Sequence, residues 1–199
     1  MRLVHHRQAM IYESDFKYQV KDFTFPITTD EYISRFRDAD RFIGYCRACS
    51  NYNRSWACPP FSHDLEKELH GYRNLLLIAT KITPDKSDLP FTESRRVIYP
   101  ERKRLEHRLL EMERIYGGRA FAYVGLCLYC PEGACTRPLG LPCRHPELVR
   151  PSLEAYGFDI SRTTNELFGI ELLWGKDGML PKYLTLVCGF FHNSDVVSF

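Results

Sequence analysis

The chain has 199 residues, of which 44% are hydrophobic, 14% aromatic and 26% charged. This fits a single domain over residues 1–199 and excludes wholesale disorder, because a chain of this size buries roughly 70% of its unfolded surface. Lys+Arg 27 against Asp+Glu 25 leaves a net charge of +2, which argues against a broad phosphate-binding surface, so no nucleic-acid partner is expected.

No apolar run approaches the ~20 residues of a membrane helix, so no membrane partner is expected either. The opening Met1-Arg2-Leu3-Val4-His5-His6-Arg7 lacks the apolar stretch of an export signal, and the expected location is the cytoplasm.

In chain order, Tyr18–Phe25 alternates apolar and polar residues, as a strand does. Thr29 and Asp30 can cap a helix of about a dozen residues through Tyr32, Ile33 and Phe36. Ser62 or Asp64 can cap a short helix carrying Leu65, Leu69 and Tyr72. Leu75–Ile82 is an apolar run suited to a central strand, followed by a polar, turn-rich connection from Pro84 to Pro90. From Pro100 to Tyr116, Leu105, Leu109, Met112 and Tyr116 share one helix face, with Pro100 expected in the first turn and Gly117-Gly118 as the stop.

That helix carries five basic and four acidic residues between Glu101 and Arg114, and its charged side, including His107, reads as solvated. Ala120–Leu126 reads as a second central strand. Pro151 suits the start of a short helix that ends at Gly157, and Ser161 can cap another through Leu167. Ile170–Trp174 and Tyr183–Phe191 read as closing strands paired across Gly175–Pro181. The expected class is α/β or α+β, a single mixed sheet with packed helices and two Cys-rich metal-binding loops.

Eight cysteines in a chain without an export signal point to metal or redox chemistry rather than disulfides. Cys127, Cys130, Cys135 and Cys143 form C-x2-C-x4-C-x7-C. Pro131, Gly133, Pro138, Gly140 and Pro142 keep this segment out of regular helix or strand. A loop this long in a compact domain needs an organiser, and four thiolates on a metal centre supply one. Structural zinc sites pair two short knuckles. Here a single C-x2-C is followed by two isolated cysteines, which favours an iron–sulfur cluster of the [4Fe–4S] type, with zinc as the alternative. Arg137, Arg144 and Arg150 flank these cysteines, either as donors to cluster sulfurs or as solvated surface.

Cys46, Cys49 and Cys58 form C-x2-C-x8-C-P-P, one ligand short of a closed tetrahedral site. Cys188, His63, His145 or an exogenous ligand can complete it, although Cys188 reads better as strand core. Three protein ligands with one open position is the arrangement of catalytic metals. Trp56 and Tyr52 either pack as plain aromatics, cover the metal or stack on a planar substrate. The two cysteine groups form one composite site or two separate ones. His5-His6 reads as an exposed pair, and Glu154 as a capping or supporting acid. No dinucleotide, P-loop, zincin or nucleophile-elbow motif is present.

With Cys46-x2-Cys49, Trp56-x-Cys58-Pro59-Pro60, Cys127-x2-Cys130, Cys135, Cys143 and Arg150-Pro151-Ser152-x-Glu154-Ala155-x-Gly157 in view, the chain resembles a bacterial and archaeal family of unknown function described as predicted metal-binding proteins. The resemblance implies metal binding through these cysteines and no particular substrate. Phe158-Asp159 stands where the family pattern leads one to expect an aliphatic residue. The residues and the resemblance together suggest redox or cluster-assisted chemistry on a small molecule or a partner protein. The alternatives are a zinc-stabilised interaction module and a metal carrier or sensor.

Overall fold

A computed structural model describes residues 4–13, 16–86, 88–122 and 127–199, with side chains from residue 17 onward. Five strands, β1 (Val4–Glu13), β2 (Phe16–Thr28), β3 (Asn74–Pro84), β4 (Arg119–Phe121) and β5 (Leu184–His192), form one sheet in the order β1-β2-β3-β5-β4. All four pairings are antiparallel. The expected single sheet with packed helices is therefore present in its α+β form, antiparallel throughout rather than mixed.

Alternation along the strands builds two cores. On β3, Leu75, Leu77 and Ala79 face one side, and Leu76, Ile78 and Ile82 the other. On β5, Val187 and Phe191 join the first set, and Leu186, Cys188 and Phe190 the second. Because both faces of β3 are covered, its sequence is an almost unbroken apolar run rather than an alternating one. The second face is covered by α4 (Ser94–Tyr116), through Val97, Leu105, Leu109 and Met112. The first is covered by α1 (Thr29–Phe36), α5 (Ile160–Thr163) and the segment around Leu153, Tyr156 and Phe158.

The single helix expected after Thr29 is two. Thr28 caps α1, the chain turns at Arg37, and Asp38 caps α2 (Ala39–Ala48). A short α3 (Leu65–His70) is capped by Asp64. α4 starts six residues before Pro100, which lies inside it. Burial of Ser94 and Val97 at 6% and 0% exposure extends the packed face past the proline, and this packing outweighs the lost helix bond.

The charged side of α4 is not simply solvated. Glu101, Arg102 and Glu106 are buried, with Arg102 Nε 2.6 Å from Glu106 Oε1. Tyr18 Oη donates to Glu101 Oε1 at 3.3 Å, and Arg104 forks onto Asp22. His107 is exposed, as expected.

Residues 170–174 form no ladder. β5 pairs with β3 along its length and with β4 only over residues 189–191, and residues 170–174 join neither edge. Of the strand expected over 120–126, residues 123–126 lie outside the described residues, as do the side chains of His5 and His6. Pro151 is followed by a 3-10 turn at Glu154–Tyr156 that ends, as expected, at Gly157. Asp159, not Ser161, caps α5, and Phe158 is fully buried in the first core.

Candidate metal centre

Cys46 occupies the last turn of α2, and Cys49 is its C-cap, donating its N–H to Cys46 O at 3.0 Å. The first cysteine segment therefore starts on a helix rather than in a loop. Turns over residues 50–58 then bring Cys58 back: Cys58 N donates to Ser55 O at 3.0 Å, and Asn53 N to Pro59 O at 2.8 Å. The three sulfurs feel one another. Burial pushes the Cys58 thiol up to about 11, with the charges of Cys49 and Cys46 adding to it, while a Ser55 hydrogen bond and the Arg137 charge oppose it. Cys46 is raised by burial first, then by Cys49 and Glu154.

Glu154 reaches this site because α2 rests on the 154–157 turn. Gly157 has φ +92°, and a Cβ there would lie 2.7 Å from Ala39 Cα. Asp38 N donates to Gly157 O at 2.8 Å. Burial pushes the Glu154 carboxyl up to about 7, against hydrogen bonds from its own N–H and from Ser152. The Glu154 charge therefore acts on the Cys46 thiol, and the turn at Glu154–Tyr156 has no side-chain cap.

Cys127, Cys130, Cys135 and Cys143 lie in irregular chain, as the glycines and prolines dictate. Burial raises Cys127; the Tyr129 N–H and the Arg102 charge oppose this, and Glu106 and Cys130 add to it. The α4 pair Arg102–Glu106 therefore stands behind this cysteine, and Tyr129 hydrogen-bonds Glu106. Backbone N–H groups two residues on point at three sulfurs: Asn51 at Cys49 (3.5 Å), His145 at Cys143 (3.4 Å) and Tyr129 at Cys127. Such donors favour thiolate over thiol and tune a sulfur as a ligand.

All eight cysteines are free thiols. Seven are partly or fully exposed; Cys188 is buried in the second core, opposite Ile78 in the β3–β5 register. Among the described residues no three His, Cys, Asp or Glu side chains stand round a common ion position. The donor set itself, soft sulfur with N–H groups aimed at it, fits a thiolate-ligated metal.

The two cysteine segments touch. Arg137, two residues after Cys135, donates from Nε to Asn53 Oδ1 at 3.2 Å and from Nη2 to Pro60 O. Its guanidinium lies 4.7 Å over the Trp56 ring centroid. Trp56 Nε1 donates to Thr136 Oγ1 at 3.3 Å, and that hydroxyl donates to Pro142 O at 2.8 Å. Of the other flanking arginines, Arg144 Nη1 donates to Ala134 O at 2.8 Å, and Arg150 forks onto Glu113 at 2.7 and 2.5 Å. All three bind protein groups, the first two holding loop backbone in place.

Between the segments is a cleft of about 580 Å³, lined among others by Asn53, Trp56, Phe61, His63, Arg119, Arg137 and Tyr156. Glu68 of α3 sits behind it. Its Oε2 accepts from Tyr156 Oη at 2.5 Å and lies 2.9 Å from His63 Nε2, and its Oε1 is 3.1 Å from Arg119 Nε. His63, one candidate to complete the three-cysteine site, is thus engaged through Nε2 with Glu68 and Tyr156. His145, another candidate, lies beside Cys143 and packs near Tyr129, ring centroids 6.2 Å apart.

Residues 33–188 match the model of the family described as Predicted metal-binding protein (DUF2284). The chain belongs to that family. All eight cysteines and the Arg150–Gly157 motif fall inside the matched span, whereas β1 and β2 precede it. No curated protein and no solved structure matches the chain. Among the described residues no helix is long and apolar enough to cross a membrane.

Sequence reasoning missed Arg119 and Tyr156, which line the cleft, and Glu68, which holds both from behind. Each sits in an ordinary helix, strand or turn, and nothing in its local spacing marks it. It also missed the pair Arg102–Glu106 behind Cys127, whose i,i+4 spacing on a helix reads equally well as a solvated ion pair.

Proposed function

We propose that this member of a predicted metal-binding family holds an iron–sulfur cluster through Cys127, Cys130, Cys135 and Cys143. Cys46, Cys49 and Cys58 then form a second thiolate site with an open position. The observation that carries this reading is the joining of the two cysteine segments by Arg137 and by the Trp56–Thr136 bond. The two segments so joined supply residues to one small-molecule-sized cavity, among them Asn53, Trp56 and Arg137. The C-x2-C-x4-C-x7-C spacing supports a cluster over zinc.

The bound centre would supply electron transfer or polarisation of a ligand, and the chain's own residues supply the rest. N–H groups orient Cys49, Cys127 and Cys143, Arg137 favours the Cys58 thiolate, and the cleft admits a small molecule or the tip of a partner protein. Eight unpaired thiols suit a reducing compartment, and we place the protein in the cytoplasm.

Anaerobic purification with iron, acid-labile sulfide and zinc analysis tests the reading. Brown protein with stoichiometric iron and sulfide, both lost in Cys127→Ser and Cys135→Ser, supports it. Colourless protein with one or two zinc ions per chain overturns it in favour of a zinc-stabilised module.

A further inference from the structure

The cleft between the cysteine segments has a charge pattern that selects a ligand. Among the described residues none that lines it is Asp or Glu, while two arginines, Arg119 and Arg137, and one histidine, His63, do. Arg119 is balanced by Glu68 behind the wall. The hydrogen-bonding and stacking partners of Arg137 are an amide oxygen, a backbone carbonyl and an indole ring, all neutral. A guanidinium with neutral partners leaves one positive charge facing a concave site, and its fork matches a carboxylate or phosphate.

Much of the remaining lining is flat aromatic rings and prolines, with Asn53 and Ser62 among them. Phe61 and Tyr156 have ring centroids 5.3 Å apart, Phe61 and His63 5.6 Å, and Trp56 stands beside Arg137. A volume of about 580 Å³ falls within the range of small-molecule sites.

From this we infer that the cleft binds a small oxyanion carried on a planar unsaturated ring, with the anion at Arg137 and the ring against Phe61 and Tyr156. The inference rests on the proposed function only for what happens to the ligand afterwards; binding itself needs the cleft alone. Ring and anion are both required. An anion without a ring leaves the aromatic wall wet, and a ring without an anion leaves Arg137 with no hydrogen-bonded counter-charge.

The chain has two tryptophans, and Trp174 is 78% exposed. In full-length Trp174→Phe protein, Trp56 alone therefore reports on the cleft. Benzoate and phenyl phosphate are titrated against its emission, with inorganic phosphate as the anion without a ring and benzylamine as the cationic ring. We expect a saturable change with benzoate, phenyl phosphate or both, weakened by added salt. The difference between these two assigns carboxylate or phosphate. Arg137→Gln and, independently, Arg119→Gln each weaken it about tenfold, with circular dichroism unchanged.

No response to either aromatic anion at millimolar concentration overturns the proposal. So does inorganic phosphate binding as tightly as phenyl phosphate, or benzylamine binding as tightly as benzoate. Metal content is measured on the same samples. Absent binding at full metal occupancy sinks this inference alone, and binding in protein without thiolate-bound metal sinks the metal reading alone.

Discussion

Arg137 stacks its guanidinium on Trp56, 4.7 Å from the ring centroid, and so fastens the segment bearing Cys135 to the segment bearing Cys58. The contact is electrostatic as well as mechanical, because the same charge is the cation that draws the Cys58 thiol back toward ionisation. Arg137→Met keeps much of the stem and deletes the fork and the charge. We expect a loss of about 1–3 kcal/mol in stability, the sum of one part-exposed cation–π contact and two hydrogen bonds from a charged donor. Cys58 should also alkylate more slowly at pH 8. Urea unfolding and iodoacetamide rates, with Cys58→Ser identifying the reacting thiol, check both. An unchanged rate would show that the two segments are electrostatically independent.

Gly157 makes a second joint, between the Arg-Pro-Ser-x-Glu-Ala turn and the helix that carries Cys46. Its φ of +92° is costly for an L side chain, and the missing Cβ is where Ala39 backbone passes. Gly157→Ala should cost several kcal/mol, about 1–3 from the dihedral with the steric push on α2 added. If the proposed site at Cys46, Cys49 and Cys58 holds metal, Gly157→Ala should lose it there before it loses the second core. Urea midpoints and metal content per chain report these separately. Full stability together with full metal content in Gly157→Ala would refute the close packing.

These two joints show what the sequence reveals and what it does not. The cysteine spacing, the β3 and α4 apolar patterns and the stop at Gly157 are local signals, and each is legible along the chain. The start of α4 is not, because Pro100 argues for a boundary that only tertiary burial of Val97 overrides. The absent strand at 170–174 has an adequate pattern, but that segment does not pair with β5, whose partners are β3 and, over residues 189–191, β4. The cluster of Glu68, Arg119 and Tyr156 joins residues 51 and 37 positions apart, and no periodicity encodes that meeting.

His192, at the end of β5, is 5% exposed, stacks on Phe190 at 5.7 Å, and its Nδ1 lies 3.0 Å from Ser194 O. Burial lowers its pKa below 6.5, opposed by that backbone bond. The folded chain therefore holds His192 neutral, while the unfolded chain takes up a proton below about pH 6.5. The stabilising contribution is present above 6.5 and is lost as the pH falls below it. Thermal midpoints from pH 7.5 down to 5 should fall less in His192→Asn, which keeps a donor for Ser194, than in the parent. Parallel curves for the two proteins would remove His192 as the origin.

Glu113 and Arg150 tie the end of α4 to the chain leaving the second cysteine segment. Both side chains are largely buried, at 16% and 11% exposure, and Glu113 Oε1 also accepts from Ala120 N at 2.7 Å. Removing one partner of such a pair leaves the other charge poorly solvated, so Glu113→Ala should cost about 3–5 kcal/mol. Glu113→Gln, which keeps the acceptor for Ala120, should cost clearly less. A urea midpoint shift of equal size in both variants would show that the charge itself contributes nothing.

Burial holds Cys46, Cys58 and Cys127 above the ordinary thiol value of 9.0, so in the chain alone they are protonated at neutral pH. A metal ligand must be thiolate, so loading displaces these protons, and the cation then stabilises the charge that burial penalises. Two consequences follow. Titration of Zn²⁺ into the reduced chain should release about one proton per ligating thiol, read as a difference in apparent heat between buffers of unlike ionisation enthalpy. Affinity should also rise steadily from pH 6 to pH 8, since each step up in pH lowers the cost of deprotonation. Heats identical in Tris and phosphate, or affinity flat across that range, would show that the thiols are not the ligands.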